Sequence, residues 1–263
     1  MVLGLSMARL DLWSMAKAIA KPRAFSRAVG LTLLLMPVTV CIYAGLAKLV
    51  GLSTADQISL LLLAAAPPIA SSAGLCFLLG FNARLALEAT LMATLLTPIL
   101  GPLIVSVLLP DMAPISPFLL AQKLGAMILG GLIFGLALRR IIGADRIDQN
   151  KLAFDGIAAL GMVLFVIPLF DGVGATILGS PTRALWVIAL VVLFNLGTNL
   201  ITTAIARLRT TEQDAGALGL LWGNRTIAIY LAALPYDPQF SLFVALYQFP
   251  MYLTPLLWQH IKR

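Results

Sequence analysis

Long apolar runs separated by short polar stretches make up most of this chain. Eight of these runs have about 20 residues or more, the length that an α-helix needs to cross ~30 Å of hydrocarbon. Turn-forming residues occupy the short connections between them. The pattern predicts an all-α, polytopic membrane protein with one transmembrane domain over residues 1–263. The predicted spans are 28–49, 57–80, 85–109, 116–138, 152–172, 184–206, 214–234 and 240–259.

The second predicted span is interrupted near its middle by "AAAPPIASSAG". Pro67 and Pro68 remove two backbone donors and free the carbonyls of the preceding turn. Irregular backbone at this depth is tolerated only where it faces protein or a water-filled cavity. We therefore predict a break at 67–72, followed by a half-helix that carries Ser71 and Ser72 in its first turn. A simple proline kink in a packed helix is the alternative interpretation.

The seventh predicted span is interrupted in the same way by "WGNRT", which predicts a second break at 223–226. Each broken span has one helix before it and one after it, and the two three-helix units enter from opposite sides. Such a pattern is typical of transporters built from inverted repeats, in which half-helix N-termini attract anionic groups at the membrane midplane. We predict a first repeat at 28–110 and a second at 115–263.

Charge distribution sets the predicted orientation. Of the 18 lysines and arginines, fourteen fall on one side of the predicted topology and two on the other, so the first side and the C-terminus are predicted to be cytoplasmic. The basic residues are scattered singly between apolar runs, which argues against a nucleic-acid partner. Residues 1–27 contain a basic, amphipathic segment expected to lie on the lipid surface. The expected location is a bacterial inner membrane, with the lipid bilayer as the main partner.

Two basic residues fall inside predicted spans, and ionisable groups at that depth are functional candidates. For Lys123 the alternative is that its amine reaches the nearby membrane surface. For Arg225 the alternative is a register that places it nearer the cytoplasm. An intramembrane enzyme is not expected, because His260 is the only histidine and the aspartates fall in or beside loops. A channel is not expected either, since each span has too few polar residues to line a pore.

Several stretches resemble the bile acid:sodium symporter family, and the resemblance covers nearly the whole chain. They are "KPRAFSRAVGLTLLLMPVTV", "AAPPIASSAGLCFLLGFNARLALEATLMATLLTPILGPLI" and "LVVLFNLGTNLITTAIARL". The resemblance implies ten helices in two inverted repeats, forming a panel and a core domain, with the fourth and ninth helices unwound and crossing. It also implies that this chain starts inside the second helix, with "MVLGLSMARL" as the remnant. The candidate substrate-binding residues around the implied crossing are Pro67, Pro68, Ser71, Ser72, Asn195, Asn199, Gly223, Asn224, Arg225 and Thr226.

The sodium ligands implied by the resemblance are only partly present. Two hydroxyl positions are kept, Ser72 and Thr90. The other positions hold Thr32, Ala73, Ala86, Leu221 and Arg225. A sodium ion needs several oxygen ligands and usually a carboxylate, so we expect no sodium coupling in the family's usual form and no other cofactor.

Arg225 is instead expected to hold a fixed charge where the cation would sit. It would pair with an anionic substrate or with Glu88, although Arg84 could pair with Glu88 instead. The sequence thus predicts a secondary carrier for a small organic anion. A sodium-coupled symporter with altered ligands, with Na⁺ as its cofactor, and an arsenite- or auxin-type efflux carrier remain alternatives. The cysteine characteristic of arsenite carriers follows the proline directly, whereas Ile69 stands there in this chain.

Overall fold

The computed structural model describes residues 22–108, 116–150 and 171–261, together with isolated positions between 153 and 167. Every regular element in these ranges is a helix, which confirms the all-α prediction for them. The helices are α1 (Pro22–Leu49), α2 (Thr54–Ala65), α3 (Ser72–Leu78), α4 (Ala83–Leu108), α5 (Pro117–Ile142), α6 (Ala144–Gln149), α7 (Val173–Gly179), α8 (Pro181–Arg207), α9 (Glu212–Gly223), α10 (Ala228–Ala233) and α11 (Pro238–Ile261).

Five helices within the described ranges are long and apolar enough to cross a membrane: α1 from Ser26 onward, α4, α5, α8, and α11 as far as His260. Their outer surfaces carry large apolar side chains, with Leu34 63%, Ile99 65% and Leu193 65% exposed. Helices that remain apolar on their outer side belong in lipid, so the chain is a polytopic α-helical membrane protein. The predicted span at 152–172 and the surface segment at 1–21 lie largely or wholly outside the described residues.

The helix α1 begins earlier than the sequence predicts. It starts at Pro22, whereas the apolar pattern placed the start of the span at 28 and assigned the preceding basic residues to a surface segment. Within this added part of the helix, Arg27 Nη2 lies 2.7 Å from Glu88 Oε2 of α4. The side chain of Arg27 therefore pairs with a carboxylate of the protein.

The two broken spans, α2–α3 and α9–α10, each begin with a side-chain N-cap. The side chain of Ser53 accepts a hydrogen bond from the backbone N–H of Asp56, and that of Thr211 accepts one from Asp214. These N-caps satisfy backbone donors that the first turn of a helix leaves free. Both caps therefore fix where the broken spans begin.

Close packing between α8 and α9 positions the second broken span. A side chain added at Gly219 would overlap the hydroxyl of Thr203, and one at Gly223 would overlap the amide of Asn199. The glycines thus allow the backbone of α9 to lie directly against polar side chains of α8. The breaks border two buried apolar clusters: the first contains Ile69 and Ile227 of the breaks themselves, and the second contains Cys76, Leu79 and Phe81.

Candidate functional site

The two broken spans cross and pair through their backbones. The helix α2 ends at Ala65 and the chain resumes helix at Ser72, while α9 ends at Gly223 and resumes at Ala228. The N–H of Ile69 donates to the carbonyl of Asn224 at 3.1 Å, and that of Thr226 donates to the carbonyl of Pro67 at 2.8 Å. These bonds form an antiparallel bridge between Pro68 and Arg225. We call residues 66–71 and 224–227 the crossing. Its two segments agree within one residue with the predicted breaks.

The break leaves the carbonyls of residues 65–69 outside the hydrogen-bond pattern of α2, and all five have donors. A buried carbonyl without a partner is costly, so a break of this kind is stable only where other groups supply hydrogen bonds. Residues of the second broken span donate to four of the five carbonyls at 65–69, and Ser72 donates to the fifth. The bonds are Tyr230 Oη to Ala65 at 3.1 Å, Arg225 Nη1 to Ala66 at 2.7 Å, Thr226 N to Pro67 at 2.8 Å, Thr226 Oγ1 to Pro68 at 3.2 Å, and Ser72 Oγ to Ile69 at 2.6 Å.

The last carbonyls of α9 are held by side chains of α8 and α11. Asn195 Nδ2 donates to the Gly223 carbonyl at 2.7 Å and to Asn224 Oδ1 at 2.8 Å. The hydroxyl of Tyr247 donates to the same Gly223 carbonyl at 2.6 Å and accepts from the N–H of Arg225 at 3.0 Å. Asn199 Oδ1 accepts from Trp258 Nε1 at 3.2 Å. Asn195, one of the amides predicted from sequence, therefore binds the end of α9 at the second break.

Arg225 lies at the centre of the crossing and is 2% exposed. Its Nε donates to the Trp222 carbonyl at 3.0 Å, and its guanidinium lies 5.0 Å from the centre of the Trp222 ring. Its Nη2 has no hydrogen-bond partner among the described residues, and none of the ion pairs found there involves Arg225. The crossing therefore holds a buried positive charge with spare donor capacity.

Glu88 does not pair with Arg225, which corrects one of the expected pairings. Its carboxylate lies 2.7 Å from Arg27 Nη2 and 2.8 Å from Arg84 Nε, at the end of α4 where the helix begins. The spacing of four residues brings Arg84 onto the same face of α4, and α1 adds the second arginine. Lys123, the other basic residue within a predicted span, donates from Nζ to the Ala233 carbonyl at 2.9 Å.

The candidate substrate residues fall into two groups. Ser71 is exposed and Thr226 is half-buried, so the surface of the crossing presents these two hydroxyl-bearing residues. The rest are buried, namely Pro67, Pro68, Ser72, Asn195, Asn199, Gly223, Asn224 and Arg225. At the start of the seven-residue helix α3, the N–H of Ser72 donates to the Ile69 carbonyl.

The two retained positions of the sodium site are both buried. The hydroxyl of Ser72 is used inside the break, whereas Thr90 Oγ1 has no partner among the described residues. No hydrogen bond described in the structure joins Ser72 to Thr90. Four residues outside the predicted set also support the crossing: Trp222, Tyr230, Tyr247 and Thr254. A tyrosine within an apolar span usually finds a hydrogen-bond partner when buried, and that signal could have identified two of them.

Comparison with known proteins agrees with this architecture. The family model described as Sodium Bile acid symporter family matches residues 1–180, which is more than half of the chain. The match includes the first broken span and ends before α8. No curated protein matches the sequence. With two broken helices that cross inside a membrane domain and a family match over most of its length, this chain belongs to the sodium bile acid symporter family.

Proposed function

We propose that this chain is a secondary carrier for a small organic anion, with the substrate bound at the crossing. Family membership supports transport, and paired broken helices are the usual place for a substrate in carriers of this kind. The proposal includes an inverted-repeat domain with about eight spans, in which the broken helices rock against the remaining helices. It also places the protein in a bacterial inner membrane with its C-terminus in the cytoplasm.

The observation that carries the proposal is an excess of hydrogen-bond donors at the crossing and directly beside it. Four buried nitrogens have no partner among the described residues: Asn199 Nδ2, Trp222 Nε1, Asn224 Nδ2 and Arg225 Nη2. All four are N–H donors, and one of them carries a full charge. Burying an unpaired charge in a membrane is expensive, with an effective penalty of several kcal/mol. A bound carboxylate or similar anion would offset that penalty and accept the spare hydrogen bonds.

The proposed route to this charge runs past the exposed side of the crossing. Ala70 and Ser71 are exposed next to the half-buried Thr226, whose hydroxyl donates to the Pro68 carbonyl. An anion entering there meets the two hydroxyl groups first and the field of Arg225 behind them. Apolar side chains surround this position, so the organic part of the substrate is expected to be partly apolar.

A thermal-shift screen of the purified protein tests the proposal. Acetate, benzoate, succinate and cholate are compared at equal ionic strength with the neutral amides of the same acids. We expect at least one anion to raise the melting temperature in a saturable way, since a ligand at about 100 times its Kd stabilises by ~2.7 kcal/mol. The Arg225→Gln variant should lose that anion response, while Arg84→Gln should keep it. Stabilisation by amides and anions alike would contradict the proposal.

Sodium-coupled symport is the second candidate, and the family's description favours it. The retained hydroxyls of Ser72 and Thr90 would then belong to a reduced cation site. The two candidates separate cleanly in proteoliposomes loaded with the best anion of the screen. An anion carrier without sodium coupling exchanges labelled anion equally well in sodium and in choline buffer, whereas a sodium symporter accumulates it only with an inward sodium gradient.

A further inference from the structure

The C-terminal ends of two half-helices meet at the crossing. The helices α2 and α9 have 12 residues each, and an antiparallel bridge joins the segments that follow them. The last carbonyls of a helix carry partial negative charge, equivalent to about half an elementary charge. Because both helices stop at the crossing, their negative ends converge in the middle of the protein.

Arg225 binds one carbonyl from each of these ends. Its Nη1 donates to Ala66, the C-cap of α2, at 2.7 Å, and its Nε donates to Trp222 in the last turn of α9 at 3.0 Å. Neutral hydroxyls take carbonyls next to these, with Tyr230 on Ala65 and Tyr247 on Gly223. No described carboxylate pairs with Arg225, so the carbonyl dipoles of the two helix ends are its main negative surroundings.

Carbonyls at the ends of broken helices are typical ligands for monovalent cations in membrane carriers. A guanidinium is a suitable substitute, since its charge is delocalised, it is weakly hydrated, and it can donate to two carbonyls at once. Its side chain is covalently attached, so the charge cannot leave when the helices move.

We propose that the guanidinium of Arg225 is a tethered cation, which permanently occupies a monovalent-cation site formed by the carbonyl ends of α2 and α9. The consequence for coupling rests on the proposed transport function: the carrier would move its substrate without taking up a coupling cation. The site itself does not depend on that function. Removing the side chain should leave a site that small cations from solution can fill.

Cation rescue of the Arg225→Ala variant tests the proposal. Wild-type and variant proteins are purified in choline chloride, and their melting temperatures are measured after addition of sodium, potassium, methylguanidinium or guanidinium chloride at up to 50 mM. We expect the variant to melt ~5–10 °C below the wild type in choline. At least one small cation should recover half or more of that loss with saturation, and the wild type should not respond.

Tyr230→Phe is the matched control, because it removes a neutral donor from the adjacent Ala65 carbonyl. This variant should also be destabilised, but no cation should restore it. Equal restoration of both variants would show a general salt effect and overturn the proposal, as would the absence of any cation response in Arg225→Ala.

A second variant keeps the test decisive if Arg225→Ala does not fold. Arg225→Lys retains one positive charge, so it should remain more stable than Arg225→Gln and show no cation response. An Arg225→Lys protein as unstable as Arg225→Gln would show that the charge is not what the site requires. If no anion stabilised the wild type, the proposed substrate class would be rejected. The cation-rescue result for Arg225→Ala would still stand.

Discussion

Charged side chains inside this protein differ in whether a partner neutralises them. Asp56 lies 2.7 Å from Arg183 and also accepts from Trp186 Nε1 at 3.2 Å, and Glu88 lies between two arginines. Both carboxylates are at helix starts, near the ends of predicted spans. Arg225 at the crossing has no such partner among the described residues. At the scale of residues, structural ion pairs therefore lie toward the membrane surfaces, and the unpaired charge lies where substrate is proposed to bind.

The Asp56–Arg183 pair should contribute measurably to stability. Asp56→Asn leaves the arginine without its carboxylate, and breaking a buried pair typically costs ~3–5 kcal/mol. Because the Arg183 side chain is 25% exposed, we expect about 2–3 kcal/mol here, measured as a lower melting temperature. Arg207→Gln is the control, since it removes an exposed pair with Glu212 and should cost under ~1 kcal/mol. Equal losses in both variants would disprove the structural role of Asp56.

At the scale of elements, the second broken span depends on α8. Glycines at 216, 219 and 223 lie against Phe81, Thr203 and Asn199, so no side chain separates the α9 backbone from its neighbours. Asn195 then reaches the end of α9 and holds the Gly223 carbonyl. The helix α8 is the support on which the break of α9 is built.

Gly219→Ala should destabilise this contact. The added methyl group would overlap Thr203 Oγ1 and approach the Asn199 carbonyl, and overpacking of this kind typically costs ~1–3 kcal/mol. Gly197→Ala on α8 is the matched control, because a side chain there meets nothing within 4 Å. We expect a lower melting temperature for the first variant and little change for the second. A Gly219→Ala protein as stable as wild type would contradict the close packing of α8 and α9.

Seven of the eight predicted spans fall within the described residues, where five are long helices and two are interrupted. Their boundaries agree with the prediction within a few residues in most cases. The pairing of Arg27 was missed because its partner, Glu88, lies 61 residues further along the chain. Patterns of hydrophobicity are local. They therefore predict the positions of membrane helices well, but they do not predict which distant residues will pair.

At the scale of the whole molecule, transport requires the crossing to reach water on one side of the membrane and then on the other. The exposed Ser71 lies on the surface proposed for substrate entry. Lys123 of α5 bonds to Ala233 at the end of α10, which links the second broken span to a long helix outside the crossing. Rocking of the broken helices would alter the exposure of Ser71 and the hydrogen bond between Lys123 and Ala233.

Cysteine labelling should detect this access. In a Cys41→Ser background, Ser71→Cys should react with a membrane-impermeant maleimide in oriented vesicles, and the stabilising anion should slow the reaction. Leu62→Cys is the control, because Leu62 is 2% exposed inside the apolar core and should not react. If Ser71→Cys remained unlabelled from both sides, the crossing would not be accessible to water and the carrier proposal would fail.

By itself, the sequence determined the membrane-embedded all-α fold and the position of both breaks. Those features follow from local causes: stretches of apolar side chains, the missing donors of Pro67 and Pro68 at the first break, and the polar interruption "WGNRT" at the second. Only the tertiary structure decided which groups satisfy the freed carbonyls, that Glu88 pairs with Arg27 and Arg84, and that Arg225 joins the ends of α2 and α9. The physical reason is distance along the chain, because Arg225 and Ala66 are 159 residues apart and their hydrogen bond depends on how the two broken helices cross.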